Sequence, residues 1–269
     1  MNIRIINLLS LIVFSLHVSA QVYSSARYCA MGNTGTALQG LESLTSNAAG
    51  IVNITTPAAG VYYQEHFLNT DIGTKGFLVA VPSKLGVFGL HASNYGIGGT
   101  YSELKAGVSY AKAFGHHLYT ALTVNYHQIS VTNYGDSKAY SLDVGLQYRI
   151  DPNWLIGVLL ANPGYAAYDY SVYAVIPVQL RLGTSYQLHD GLTLTADVER
   201  ILYRQKTDVR TGLEYKPSAF VSFRGGIGFN EFTQFCGFGL LYKKMLLDIA
   251  AVIHPRLGVS PQLLLTYAF

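Results

Sequence analysis

The sequence predicts an all-β protein, a closed antiparallel transmembrane β-barrel of about fourteen strands with an N-terminal hatch. Three observations lead there: an export signal at the start, a composition too poor in charge for a soluble domain, and serial segments of about ten residues that alternate apolar and polar side chains. Half of the 269 residues are hydrophobic and only 12% are charged, whereas soluble domains carry about a quarter charged residues. The mean hydropathy is +0.25. A helical membrane protein would instead show repeated apolar runs of roughly 20 residues.

The only run that approaches this length is Ile5 to Val18, preceded by Arg4 and followed by Ser19-Ala20. A short basic region, an apolar stretch and a small-x-small site make residues 1–20 a secretory signal peptide, cleaved after Ala20, with an uncleaved anchor as the alternative. No Cys follows the site, so a lipid anchor is not expected. Cys29 and Cys236 are far apart on an oxidising route. A disulfide between them is open, but two free, buried thiols are expected.

From Ala58 to Phe269 the chain reads as barrel. In Ser141–Arg149 one face holds Leu142, Val144, Leu146 and Tyr148, and the other Ser141, Asp143, Gly145, Gln147 and Arg149. The same division recurs in Val178–Tyr186, Leu192–Glu199 and Asp208–Tyr215. In a bilayer the apolar face of such strands meets lipid and the charged face lines the lumen. The expected strands are Ala58–Phe67, Asp71–Val81, Leu85–Ser93, Tyr101–Phe114, His117–Ser130, Lys138–Ile150 and Asn153–Ala161. Pro177–Leu188, Leu192–Tyr203, Asp208–Tyr215, Ala219–Phe229, Phe232–Tyr242, Met245–His254 and Ser260–Phe269 complete the set.

With a periplasmic C-terminus, every even-to-odd connection is periplasmic and short. These connections are tight and carry turn chemistry, such as Asp151-Pro152 and His189-Asp190-Gly191. The longer connections, Asn94–Thr100, Val131–Ser137 and Asn162–Ile176, fall on the opposite, extracellular side. The tyrosines Tyr165, Tyr168, Tyr170 and Tyr173 of the last one read either as contacts for an apolar ligand or as an outer aromatic girdle. The chain closes on Phe269, and a final strand ending in an aromatic is the mark read by the barrel-assembly machinery. The expected place is the cell outer membrane, with its lipids as partners.

Residues 21–57 lack alternation and are rich in small residues, which suits a plug threaded into a barrel too wide for its own side chains to fill. This segment carries Ala26-Arg27 followed by Ala30-Met31-Gly32-Asn33-Thr34-Gly35-Thr36-Ala37-Leu38, and later Asn47-Ala48-Ala49-Gly50-Ile51. The first resembles the opening motif of the PorV/PorQ-like branch of FadL-type outer-membrane barrels, and the second is similar to that group's Asn-Pro-Ala-Gly-Leu hatch motif, with Ala48 in place of the proline. The resemblance implies a fourteen-stranded barrel with a hatch, from a Bacteroidota-type organism. It also implies one of two roles: a FadL-like channel for small hydrophobic compounds, or an accessory component of type IX secretion that docks or escorts secreted proteins. The chain is much shorter than those relatives.

The candidate hatch and lumen residues are Arg27, Asn47, Asp143, Arg149, Arg181, Asp197, Asp208, Arg210 and Arg224, alongside Glu199, Glu214 and Asp248. Charges in a narrow lumen require compensation, so they are expected to pair with one another and with the hatch rather than line a polar path. Arg27 is the leading candidate to join plug and wall. Neither a nucleophile with its base nor a metal-ligand spacing is present, so no enzyme, cofactor or metal site is expected. The net charge of +3 is unclustered and leaves no footprint for a nucleic acid. Gly225-Gly226-Ile227-Gly228 reads as strand glycines easing barrel curvature.

Overall fold

The computed structural model describes residues 24–168, 176–202, 206–230 and 232–269. The expected signal segment, Tyr170 and Tyr173 lie outside the described residues. All fourteen expected strands are present: β1 (Ala58–His66), β2 (Asn69–Ser83), β3 (Gly86–Ile97), β4 (Tyr101–Phe114), β5 (Leu118–Val131), β6 (Gly135–Asp151) and β7 (Trp154–Ala161). They continue as β8 (Gln179–His189), β9 (Leu192–Ile201), β10 (Lys206–Tyr215), β11 (Val221–Gly228), β12 (Thr233–Tyr242), β13 (Met245–His254) and β14 (Gly258–Ala268). Each strand pairs antiparallel with its sequence neighbours, and β1 pairs with β14 to close the barrel. The Phe269 amide donates to the Pro57 carbonyl at 2.9 Å, sealing the junction where hatch becomes wall.

Register follows the alternation. Asp197 stands opposite Gly183 and Arg210, while Leu194 stands opposite Tyr186 and Leu213. A one-residue slip would turn the charged row to lipid, so the pattern fixes the pairing. Outside, Val61, Phe77, Leu90, Val108, Leu122, Val124, Leu182, Leu213 and Leu263 are exposed as an apolar belt. Aromatics border its periplasmic edge, where the Trp154 Nε1 donates to Thr184 Oγ1 at 2.8 Å and Tyr267 packs edge-on against Phe269.

Three expectations change. The connections Asn94–Thr100 and Val131–Ser137 shrink to turns at 98–100 and 132–134, because β3 runs on to Ile97 and β6 already begins at Gly135, both past the apolar belt. There the outward positions are Asn94, Gly96 and Asp136, with no apolar residue to alternate against the inward face, so the extensions read as loop. The loop between β7 and β8 remains long, but Tyr168 is neither girdle nor surface contact. It turns inward and is buried against Ile129, Ala139 and Ile176. Of the two cysteines, both are free, yet only Cys29 is buried. Cys236 is exposed on the lipid face of β12, because Phe235, Gly237 and Gly239 take the inward positions. Aromatics on both faces of β12 hid that parity.

Candidate functional site

The hatch fills the periplasmic half of the lumen with mostly buried residues, small ones such as Ala30, Thr34 and Ala49 around the larger Tyr28, Met31 and Ile51. A short helix, α1 (Ala26–Ala30), begins at Ser25, whose hydroxyl accepts from the Tyr28 amide at 3.4 Å. Gly32 and Asn33 then turn the chain through positive φ. A Cβ at Gly32 would lie 2.7 Å from the Thr211 carbonyl of the wall, so only glycine fits that turn. Two 3-10 turns follow, Leu41–Thr45 and Ala48–Asn53. Asn47 caps the second, accepting from the Ala49 amide at 3.2 Å.

On one side the hatch meets charge. Arg27 is bidentate to Glu214 on β10, through Nε at 3.0 Å and Nη2 at 2.9 Å, while Nη1 donates to the Gln39 carbonyl at 3.2 Å. Glu214 also accepts from Arg224 on β11 at 2.7 Å, and Arg224 reaches Asp248 on β13 at 2.5 Å. Lys216, half-exposed at the periplasmic end, adds a contact to Glu214 at 3.2 Å. The side chains of Glu214, Arg224 and Asp248 are at most 2% exposed, so their charges rely on one another. Glu42, buried in the hatch nearby, is pushed above the ordinary carboxylate range by burial, with the Arg27 charge holding it part-way down.

On the other side the hatch meets amides and hydroxyls. The Asn47 amide nitrogen reaches the Thr36 and Leu146 carbonyls, both at 2.9 Å, and the Val158 carbonyl at 3.2 Å. Gln147 on β6 donates to the carbonyls of Thr36 at 3.0 Å and Leu38 at 2.9 Å, and Ser185 on β8 to that of Ala37 at 2.8 Å. Asp197 accepts from the Thr36 amide at 3.1 Å and hydroxyl at 2.7 Å. Arg149 donates to the Gln39 side chain at 3.1 Å and lies over the Tyr119 ring. Among the described residues every hydrogen bond from residues 24–56 to the wall uses a side chain, with no backbone ladder between them.

The remaining candidate charges sit elsewhere. Arg181, Glu199, Arg210 and Asp208 form a separate chain above the hatch, with contacts of 2.7 Å, 3.8 Å and 2.8 Å in that order. Asp143 stands apart on β6, accepting from Asn125 at 2.8 Å and from the Asn162 amide at 3.0 Å, and so anchors the β7–β8 loop. The lumen wall above the hatch on β1 to β5 is aromatic and polar: His66 and Tyr95 meet edge-on, as do Tyr95 and Tyr101, and His127 bonds Ser141 at 2.8 Å.

No protein-family model and no curated protein sequence matches the chain. Solved structures do. The toluene transporter TodX of Pseudomonas putida superposes with a TM-score of 0.73 at 12% identity, over 93% of this chain and 99% of that one. The toluene transporter TbuX of Ralstonia pickettii gives 0.70 at 15% identity, over 93% and 99%. A FadL homologue of Pseudomonas aeruginosa gives 0.67 at 10% identity, over 91% and 98%. This is an outer-membrane barrel fold. The apolar belt around the closed sheet agrees with that location, because only a closed barrel lets strands cross lipid without an open edge.

Sequence reasoning passed over two kinds of residue. Gln39, Gln147, Ser185 and Thr36 carry no charge and were not among the candidates, yet they make most of the amide side. Gly225-Gly226-Ile227-Gly228 reads as easing curvature, and at Gly226 the structure corrects this, as Gly212 and Gly157 share its role. A Cβ at Gly226 would lie 2.3 Å from the Gly32 nitrogen, at Gly212 2.2 Å from the Met31 carbonyl, and at Gly157 2.2 Å from the Thr36 carbonyl. They let hatch backbone lie directly on wall backbone. The signal was present in the parity, since these glycines share the inward phase of the charged residues.

Proposed function

We propose that the chain is an outer-membrane channel for small hydrophobic compounds, with the hatch as its internal barrier. The observation that carries this reading is the attachment of the hatch. It occupies the lumen, yet all its hydrogen bonds to the wall run through side chains and the rest is apolar packing, so it can rearrange while the barrel ladder stays intact. The likeness in fold to toluene transporters supports the same reading. A solute taken up at the extracellular mouth would pass the aromatic and polar wall of β1 to β5, then the hatch at Arg27, and leave toward the periplasm.

The test is flux through the mature chain in liposomes, compared with a variant lacking residues 21–57. Removing the hatch is expected to raise the flux of small hydrophilic solutes and to abolish discrimination in favour of apolar ones. If no solute's flux changes, the hatch is not a barrier and the channel reading fails.

A further inference from the structure

The outer rim of the barrel is not the same all round. On β2 to β6 the outward-facing positions turn polar well before the hairpin tips: Lys75 on β2, Asn94 on β3, Ser102 on β4, Gln128 on β5 and Lys138 on β6. Cross-strand pairing puts Lys75 opposite Asn94, and Gln128 opposite Lys138, so these residues form a polar collar, interrupted by Leu104 between Asn94 and Gln128 and resumed one position higher at Ser102. Above it the strands continue into water, toward tips such as Thr132-Asn133-Tyr134.

On β11 to β14 that collar is missing. Ile227 and Phe229 lead up β11 to its tip, Phe232 stands on the tip itself, and Ile253, Leu257 and Val259 continue around the β13–β14 hairpin. Gln234, between Ile227 and Ile253, interrupts the apolar surface, and the exposed Asn230 and Arg256 share the two tips, where the long Arg256 stem can carry its charge up to the headgroups. Phe229, Phe232 and Leu257 are 56%, 60% and 54% exposed. The strands here have 8, 10, 10 and 11 residues, against 12 to 17 on β2 to β6. At about 3.3 Å per residue and a tilt of about 40°, ten residues rise roughly 25 Å, the height of the apolar band of such barrels. These tips therefore end where the band ends, and their apolar surface is continuous with the lipid-facing belt below.

We infer that the β11–β14 arc of the rim is a membrane contact, with the tips around Phe229, Phe232 and Leu257 seated among the acyl chains of the outer leaflet, while β2 to β6 stand clear of it. The lumen mouth then borders lipid on one side and water on the other. This rests on side-chain chemistry and strand length, and stands independently of the channel reading.

The test places a single tryptophan at position 232 or 257, or at 134 as the control, in a Trp154→Phe background. The full chain is reconstituted in phosphatidylcholine vesicles with brominated acyl chains. Phe232→Trp and Leu257→Trp are expected to lose most of their emission, and Tyr134→Trp to keep it. The same loss at position 134, or none at 232 and 257, overturns the inference. Because a tip variant can fail to insert, the unaltered chain is also cross-linked with a lipid bearing an acyl-chain diazirine. Adducts are expected at the β11–β12 and β13–β14 tips and not at 132–134, and the reverse pattern would falsify the proposal.

Discussion

Where it faces β10 to β13 the hatch is held by full charges in contact at 3.0 Å or less, and where it faces β6 to β8 it is held by amides and hydroxyls on backbone carbonyls. The two fastenings differ in how they fail. Amide bonds are incremental, each contributing about 1 kcal/mol net. A buried charge network is conditional, because deleting one member leaves the others charged and unpaired in a dry environment. The ionic side therefore holds firmly while complete and gives way abruptly when broken. The amide side loosens by degrees.

Cys29 supplies a reporter for both. It lies buried in α1, and burial pushes its thiol up to about 12, so it should react with maleimide only when the hatch moves. In a Cys236→Ser background, Glu214→Ala should show the largest effect. It strips Arg27 of its carboxylate and leaves Arg224 with Asp248 alone, a loss of about 3–5 kcal/mol. Labelling of Cys29 should then accelerate by roughly a hundredfold or more, at about 1.4 kcal/mol per tenfold. A change of less than tenfold would show that the ionic contacts are not what seats the hatch.

Asn47→Ala tests the other side and should do less. It removes the donor to Thr36, Leu146 and Val158 together with the cap on Ala49. The expected loss is about 1–3 kcal/mol, with labelling faster by roughly tenfold. An effect equal to that of Glu214→Ala would erase the distinction between the two sides.

The smallest effect concerns pH. Glu42 has a raised folded-state pKa, so the seated hatch binds its proton more tightly than the free segment does. The stability of seating should therefore fall as pH rises from the ordinary carboxylate value through the raised one. Glu42→Gln cannot ionise and should lack that slope. The ratio of Cys29 labelling between wild type and Glu42→Gln, taken at each pH, cancels the titration of the thiol itself. A ratio flat across the acidic range would mean that Glu42 carries no pH dependence.

Much of this was legible beforehand. The strands at Tyr101–Phe114 and Met245–His254 appear with the expected bounds, because there alternation and turn chemistry agree. Arg27 and Glu214 could each be placed on an inward surface. That they meet bidentately could not, since 187 residues separate them and no local rule chooses Glu214 over Glu199 or Asp208. The outer extensions of β3 and β6 were read as loop for the opposite reason. Above the apolar belt the outward residues need no longer be apolar, and the alternation that marks a strand is lost.

What the sequence by itself determined is therefore the set of properties that repeat along the chain: the strand number, the face that meets lipid, and the segment too small and irregular to be wall. These follow from period and composition, which are local. Only the tertiary structure decided which charges join, which glycines admit the hatch and which thiol faces lipid. Closing the barrel and threading the hatch bring distant residues within contact distance, and contact at that range depends on shape rather than on pattern.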